Sequence, residues 1–304
     1  MVQVAHEAWS QAGSNGKCQR RILKRMVPQG LWADGSHFLY VVEMVRTPLV
    51  LSLVFACLAL GSAMTQKSPR VILFDKGFYV GEFHEGKWNQ APTQPQGVTV
   101  PIEVVGFGIG KVGGKTVIKE LVHEDQSEGV VVGDNEPRGL YLSGGKPKFP
   151  RKVKTLPNNS PTYLAIVKQY LASKDLAKAE PKIRQLIRAD LDGEGHDEVL
   201  INASNCTDAD LGGDSIHNGG DYSGLLLRYV DKSGKLQTKE LDWSQRTTAD
   251  QMLTEYMFDG VADVDGGGNL EIVKSYTYYE GGGVSLLRFA KGEIEELVSA
   301  TGGA

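Results

Sequence analysis

The sequence predicts a mainly-β fold: two β-rich parts joined by one helix, with a strand–acidic loop–strand unit occurring twice in the second part. Three observations predict it. Short runs of β-branched and aromatic residues recur along the chain, separated by Gly pairs, Asp-Gly and Pro, the residues that build tight turns between strands. Thirty-seven glycines in 304 residues exceed the roughly 7% average and follow no period, which excludes a collagen-like chain. Finally, the run Asp190-Leu191-Asp192-Gly193-Glu194-Gly195-His196-Asp197-Glu198 lies between two apolar stretches, Ile183 to Ala189 and Val199 to Ile201. A second run, Asp263-Val264-Asp265-Gly266-Gly267-Gly268-Asn269-Leu270-Glu271, begins 73 residues later, between Met257 to Ala262 and Ile272-Val273. A composition of 41% hydrophobic and 23% charged residues is that of an ordinary globular protein, not a disordered chain.

The chain opens on segments set apart from the fold. Leu49 to Ala63 is an apolar run of 15 residues, preceded by Arg46 and closed by Gly61-Ser62-Ala63. Basic residue, short apolar core and small residues before a cut form a secretory signal. Met44 stands where such a signal begins, so 44–63 reads as a signal peptide and 1–43 as an over-extended, disordered N-terminus. A spanning helix needs about 20 apolar residues, so no membrane span is expected after cleavage. The expected location is secreted, periplasmic or at the extracellular surface. Cleavage removes Cys18 and Cys57, leaving Cys206 without an intramolecular disulfide partner. The leader holds six Lys/Arg and three Asp/Glu, so 33 basic and 37 acidic residues become 27 and 34, a formal charge of −7. No basic patch stands out, which argues against a nucleic-acid partner.

Residues 64–155 are expected to form a β-rich N-terminal domain. Val71 to Phe74 and Phe78 to Phe83 read as strands around Asp75-Lys76-Gly77, and residues 90–101, with Pro92, Pro95 and Gly97, as loop. Ile102 to Val105 and Thr116 to Val122 read as strands about a turn at Val112-Gly113-Gly114-Lys115. Gly129 to Val132 and Gly139 to Leu142 continue the pattern, and Pro147, Pro150 and Pro157 mark a linker. Residues 156–304 are expected to form a second β domain with a leading helix. Ser160 is its expected N-cap, Pro161 suits the first helical position, and Leu164, Val167, Lys168 and Leu171 fall at helical spacing. Gly224 to Val230 and Lys235 to Leu241 flank a turn at Asp231 to Gly234; Val284 to Ala290 and Ile294 to Val298 flank another at Lys291 to Glu293. Each acidic run is followed by a strand carrying Leu-Leu-Arg-aromatic, Leu226 to Tyr229 and Leu286 to Phe289. The second half therefore reads as a degenerate duplication.

The acidic runs point to a hard cation. Calcium takes about six to eight oxygen ligands, and a short acidic loop that curls at a glycine delivers most of them. The pattern Asp-x-Asp-Gly-Glu-Gly-x-Asp-Glu at Asp190 to Glu198, with an apolar strand behind it, resembles the FG-GAP and VCBS repeats of secreted bacterial proteins and integrin-like blades. The resemblance covers only the C-terminal half. It implies a calcium ion held by Asp190, Asp192, Glu194, Glu198 and the backbone carbonyl of His196. Carried onto the second run, it implies Asp263, Asp265, Asn269 and Glu271, with Gly267 where the fifth-position acid should stand. Two units fall short of the about seven blades of such a propeller, so a full propeller is not expected. An EF-hand is excluded: its twelfth position falls on Ile201, inside an apolar run, where a Glu is required.

Other motifs fail on context. Gly108 to Gly113 spells a dinucleotide fingerprint, but Thr116-Val117-Ile118 behind it is strand-like, and the motif needs a helix there to hold the phosphates. No nucleotide is expected. Gly213-Asp214-Ser215-Ile216 lacks a histidine after His217 to serve as a distal base. Asn205 to Asp221 gathers Asp208, Asp210, Asp214, His217, Asn218 and Asp221, a second oxygen-rich loop. Tyr276, Tyr278, Tyr279 and Glu280 suit either a half-buried sheet or a sugar-binding face. The function expected is a secreted, non-catalytic calcium-binding module for a protein or polysaccharide. The alternative is a secreted hydrolase of cell-surface polymers using loop 205–221.

Overall fold

The computed structural model describes residues 70–92, 98–123, 129–206 and 216–303. The expected leader, 1–63, lies outside them. Residues 64–304 form one compact unit, mainly β with a single helix among the described residues. No described helix is long and apolar enough to cross a membrane.

Among its described residues, three antiparallel sheets make up this unit. The first contains β1 (Val71–Asp75), β2 (Phe78–His84), β3 (Lys87–Gln90), β4 (Ile102–Gly108), β5 (Lys111–Ile118), β6 (Leu121–His123), β7 (Val130–Val132) and β8 (Tyr141–Ser143). Their order is β5-β4-β8-β1-β2-β7-β6, with β3 pairing β2. The second contains β9 (Lys154–Thr155), β10 (Ile183–Ala189), β11 (Glu198–Ser204), β12 (Asp221–Val230) and β13 (Leu236–Arg246), ordered β13-β12-β11-β10-β9. The third is β14 (Glu255–Ala262), β15 (Glu271–Tyr278), β16 (Gly281–Ala290) and β17 (Glu293–Gly303), ordered as in the sequence. Strands β10–β13 and β14–β17 are thus two four-stranded meanders of the same connectivity. Each joins its first two strands through an acidic run. No sheet closes into a propeller.

Period-two side-chain alternation explains how the sheets stack. In β1, Val71 and Leu73 join one apolar cluster, and Ile72 and Phe74 join another inside the curl of the first sheet. The third sheet is central. Val273, Val284, Leu286 and Val298 pack on Leu73, Val80 and Leu142 of the first sheet. Ile272, Leu287 and Phe289, on the opposite face, pack on Ile187, Leu200 and Leu227 of the second. The helix, α1 (Pro161–Ser173), buries Val167 and Leu171 against Leu186, Ile201 and Leu226 on the outer face of the second sheet. The apolar core is therefore continuous across residue 155 through the third sheet.

Local expectations differ in three places, the first being the run Thr116 to Val122, expected as one strand and split between β5 and β6. The turn expected at Val112 to Lys115 lies inside β5, and the chain reverses at Ile109-Gly110, where Gly110 has φ +66°. Gly113 is needed for a different reason: a Cβ there would lie 3.0 Å from the Gly106 carbonyl carbon of the neighbouring strand. This hairpin, with no helix behind it, is what the dinucleotide-like glycines build. Ser160 precedes α1 in an extended conformation but makes no side-chain cap bond; its carbonyl accepts from the Leu164 N–H (3.0 Å). The expected proline linker has a structural task. Lys148 bridges Asp263 through two backbone hydrogen bonds of 2.9 Å, and the Arg151 guanidinium reaches the carbonyls of Asp190 and Leu191.

Candidate metal centre

Both acidic runs fold into the same loop. In the first, the Asp190 carboxylate accepts from the N–H of Gly193 (2.8 Å) and Gly195 (3.2 Å), Asp192 from Glu194 (3.2 Å), and Glu198 from Leu191 (2.8 Å). In the second, Asp263 accepts from Gly266 (2.6 Å) and Gly268 (3.2 Å), Asp265 from Gly267 (2.8 Å), and Glu271 from Val264 (3.1 Å). The offsets are identical. Glycines hold φ between +79° and +91° at the fourth and sixth positions of both loops, a region that L side chains adopt only with strain. Here the sequence pattern acts directly: positive-φ glycines turn successive N–H groups inward, onto the carboxylates. The two loops touch, the Leu270 N–H donating to the Leu191 carbonyl (2.8 Å).

Asp190, Asp192 and Glu198 bring carboxylate oxygens within 4.8 Å of one another, and so do Asp263, Asp265 and Glu271. Glu194 and His196 are exposed and, with Asp192, Glu198 and Lys291, line a cavity of about 250 Å³ over the first loop. Asn269 lines a larger cavity, of about 650 Å³, over the second. Asp197 points away and pairs with Arg188 (2.7 Å).

Each loop is capped by a turn of the next sheet in the stack. The β16–β17 turn covers the first loop, its Lys291 N–H donating to Asp192 Oδ2 (3.1 Å). The β2–β3 turn covers the second, and the Trp88 indole N–H donates to Asp265 Oδ2 (3.3 Å). The third-position acid receives the donor in both cases.

The loops diverge in charge. Burial, reinforced by the charges of Asp192 and Asp190, pushes the Glu198 carboxyl up to about 7 against the Leu191 N–H. Among the described residues no ion pair reaches Asp192 or Glu198, and Arg151 stands 3.8 Å from Asp190 Oδ2. The second loop is more buried, with Asp263 3% and Glu271 0% exposed. Burial and the Asp265 charge push Glu271 up to about 7 as well. This loop, however, contains a cation: Arg288 pairs with Asp265 and, through Nε, with Glu271 Oε1 at 3.2 Å.

A one-residue change of register accounts for that difference. Strand β12 sets Arg228 opposite Val199, but β16 sets Leu287, not Arg288, opposite the corresponding Ile272. A slip of one residue sends a side chain to the other face of the sheet. Arg288 therefore lies beside Glu271, and its counterpart Arg228 turns away to Thr238 Oγ1 (3.0 Å). The Leu-Leu-Arg-aromatic motif is legible twice in the sequence. Its offset against the acidic loop is not, because the segments between loop and motif differ in length.

Of loop 205–221, Asp208, Asp210 and Asp214 lie outside the described residues, as do Gly213 and Ser215. Cys206, His217 and Asp221 come together. Burial raises the Asp221 carboxyl, but hydrogen bonds from His217 and Arg246 outweigh it and hold it below its usual value. The Arg246 guanidinium donates to Oδ2 (2.9 and 2.6 Å) and the His217 backbone to Oδ1 (2.8 Å), which ties down the loop's base. Cys206 is buried, its Sγ 3.1 Å from Asn205 Oδ1. Tyr276 and Tyr278 stack at 6.4 Å at the far end of β15, away from the acidic loops.

No family model, curated protein or solved structure matches the chain.

Proposed function

We propose that the protein is an exported, non-catalytic binding module whose first acidic loop, 190–198, holds one calcium ion. The observation that carries this reading is the convergence of Asp190, Asp192 and Glu198 within 4.8 Å, with no arginine or lysine paired to the last two among the described residues. Three clustered carboxylates repel one another, and Glu198 is only 4% exposed. A hard dication relieves that repulsion, and carboxylate oxygens are the ligands calcium prefers. Each carboxylate oxygen that accepts one N–H keeps a lone pair for a metal. Glu194, the His196 carbonyl and water complete the coordination. An exported chain would meet calcium in the range that extracellular modules hold, about 10⁻⁴–10⁻³ M.

The second loop takes no calcium in this account. Arg288 already supplies the positive charge that Asp265 and Glu271 require, so Asp263, Asp265, Asn269 and Glu271 form a tethered-cation version of the first site. Calorimetric titration of the chain with calcium tests the proposal. One equivalent should bind, and Asp190→Ala with Asp192→Ala should abolish the heat. Two equivalents, or heat that survives the double substitution, would contradict it.

A further inference from the structure

The cavity over the second loop is where the two halves of the stack differ most in chemistry. It measures about 650 Å³, within the roughly 300–1,000 Å³ usual for small-molecule sites, and more than twice the 250 Å³ over the first loop. Phe83 and Trp88 form one wall. They are cross-strand partners in β2 and β3, their ring centroids 5.7 Å apart. The Trp88 indole N–H is fixed on Asp265, which Arg288 holds in turn. The floor is thus one guanidinium held between two carboxylates, Asp265 and Glu271, and the rim carries Lys87, Glu295 and Asn269.

These groups select a class of ligand. With three carboxylates against two cations the lining disfavours an anion, and Arg288 already occupies Asp265 and Glu271 against a cation. Donors (Lys87, Arg288, Asn269) and acceptors (Glu295, Asn269) stand beside an aromatic wall. A neutral sugar matches this arrangement, because its hydroxyls both donate and accept and its C–H face packs on aromatic rings. We propose that the cavity lined by Trp88, Phe83, Lys87, Asn269, Arg288 and Glu295 is a binding site for a neutral saccharide unit. This rests on the reading of the chain as a binding module, and names the polysaccharide class as its ligand. It does not depend on calcium in the first loop, because the cation beside this cavity is Arg288.

The test is calorimetric titration of the full chain, to about 10 mM, with maltose, cellobiose, N,N′-diacetylchitobiose and, as the anionic control, digalacturonate. At least one neutral disaccharide should bind saturably, with a change in tryptophan fluorescence, and digalacturonate should bind at least about tenfold more weakly. Trp88 also packs on the core, so Trp88→Phe and the exposed-rim change Glu295→Ala are made with Trp88→Ala. Each should weaken binding about tenfold with the melting temperature of the rim variant unchanged. Binding should persist in chelator and in Asp190→Ala/Asp192→Ala. Calcium heat without saccharide binding would overturn this inference and leave the calcium proposal standing; saccharide binding without calcium heat would do the reverse. Failure of all three neutral sugars, indifference to Trp88→Phe and Glu295→Ala, or loss of binding in chelator would each overturn it.

Discussion

The Arg288 guanidinium, paired to the third- and ninth-position acids of the second loop alone, separates two loops whose carboxylates accept the same set of backbone N–H bonds from within the loop. Arg288 is 27% exposed and holds two carboxylates that are 3% and 0% exposed. Removing one partner of a buried ion pair leaves an uncompensated charge and costs about 3 kcal/mol or more. Arg288→Gln should therefore destabilise the chain by about 3 kcal/mol in chelator, by denaturant unfolding. Calcium should restore part of the loss, and calorimetry should then count two equivalents of metal where the parent binds one. Unchanged stoichiometry would show that the register slip does not set the loops' metal preference. At this scale the sequence was informative about which carboxylates converge and uninformative about what pairs with them. Asp190, Asp192 and Glu198 converge as their spacing around the glycines suggested, whereas Glu194 of the same run stays exposed and Asp197 turns to Arg188. Arg288 reaches its loop through the β15–β16 register, and Arg151 and Trp88 come from segments distant in sequence that only the packing of the chain brings to the loops.

Strands and turns were more legible than their contacts. The hairpin turns at Asp231 to Gly234 and at Lys291-Gly292 fall where Asp, Gly and Lys placed them; Asp231 accepts four hydrogen bonds that close its turn. The misplaced β4–β5 turn shows the limit: Gly113 permits a close approach between strands, and the same residue type would equally suit a turn. Gly224 is a further case. Its register partner is Trp243, and a Cβ on it would sit 2.2 Å from the Trp243 ring. Gly224→Ala should therefore dislodge a ring that stacks on Tyr222 at 5.7 Å and lower stability by about 1–3 kcal/mol, with a changed near-ultraviolet dichroism signal. A parent-like melting curve would contradict this. Between the first and third sheets lies a buried acid, Asp75, 2% exposed and facing Asp259. Burial first, then the Asp259 charge, pushes Asp75 up to about 8 from 3.8. The folded state thus keeps a proton that the unfolded chain loses. Its stabilising effect is full below pH 3.8, falls as pH rises through that window and is gone above about 8. Asp75→Asn should flatten that part of the stability–pH profile and melt higher than the parent at pH 8, with little difference near pH 4. Parallel profiles would show that Asp75 is not protonated in the folded chain.

At the largest scale, the described residues of 64–304 form a stack in which α1, the second sheet, the third and the first succeed one another, and each acidic loop is closed by the neighbouring sheet. The mainly-β class and the single helix were legible from turn residues and periodicity. The stacking was not, because which sheet covers which depends on alternation within strands such as β1 and β15, and both faces of those strands carry buried apolar residues. Folding of the second sheet and its loop is coupled to metal in this account, since the carboxylates at 190, 192 and 198 come together only in the folded chain. The most direct test is thermal unfolding of the full chain in chelator and in calcium at about ten times its dissociation constant. Binding of one ion at that concentration contributes about 1.4 kcal/mol, which raises the midpoint of a unit this size by about 3–6 °C. The expected result is that rise in the parent and none in Asp190→Ala/Asp192→Ala. The same midpoint for the parent in chelator and in calcium would contradict the account.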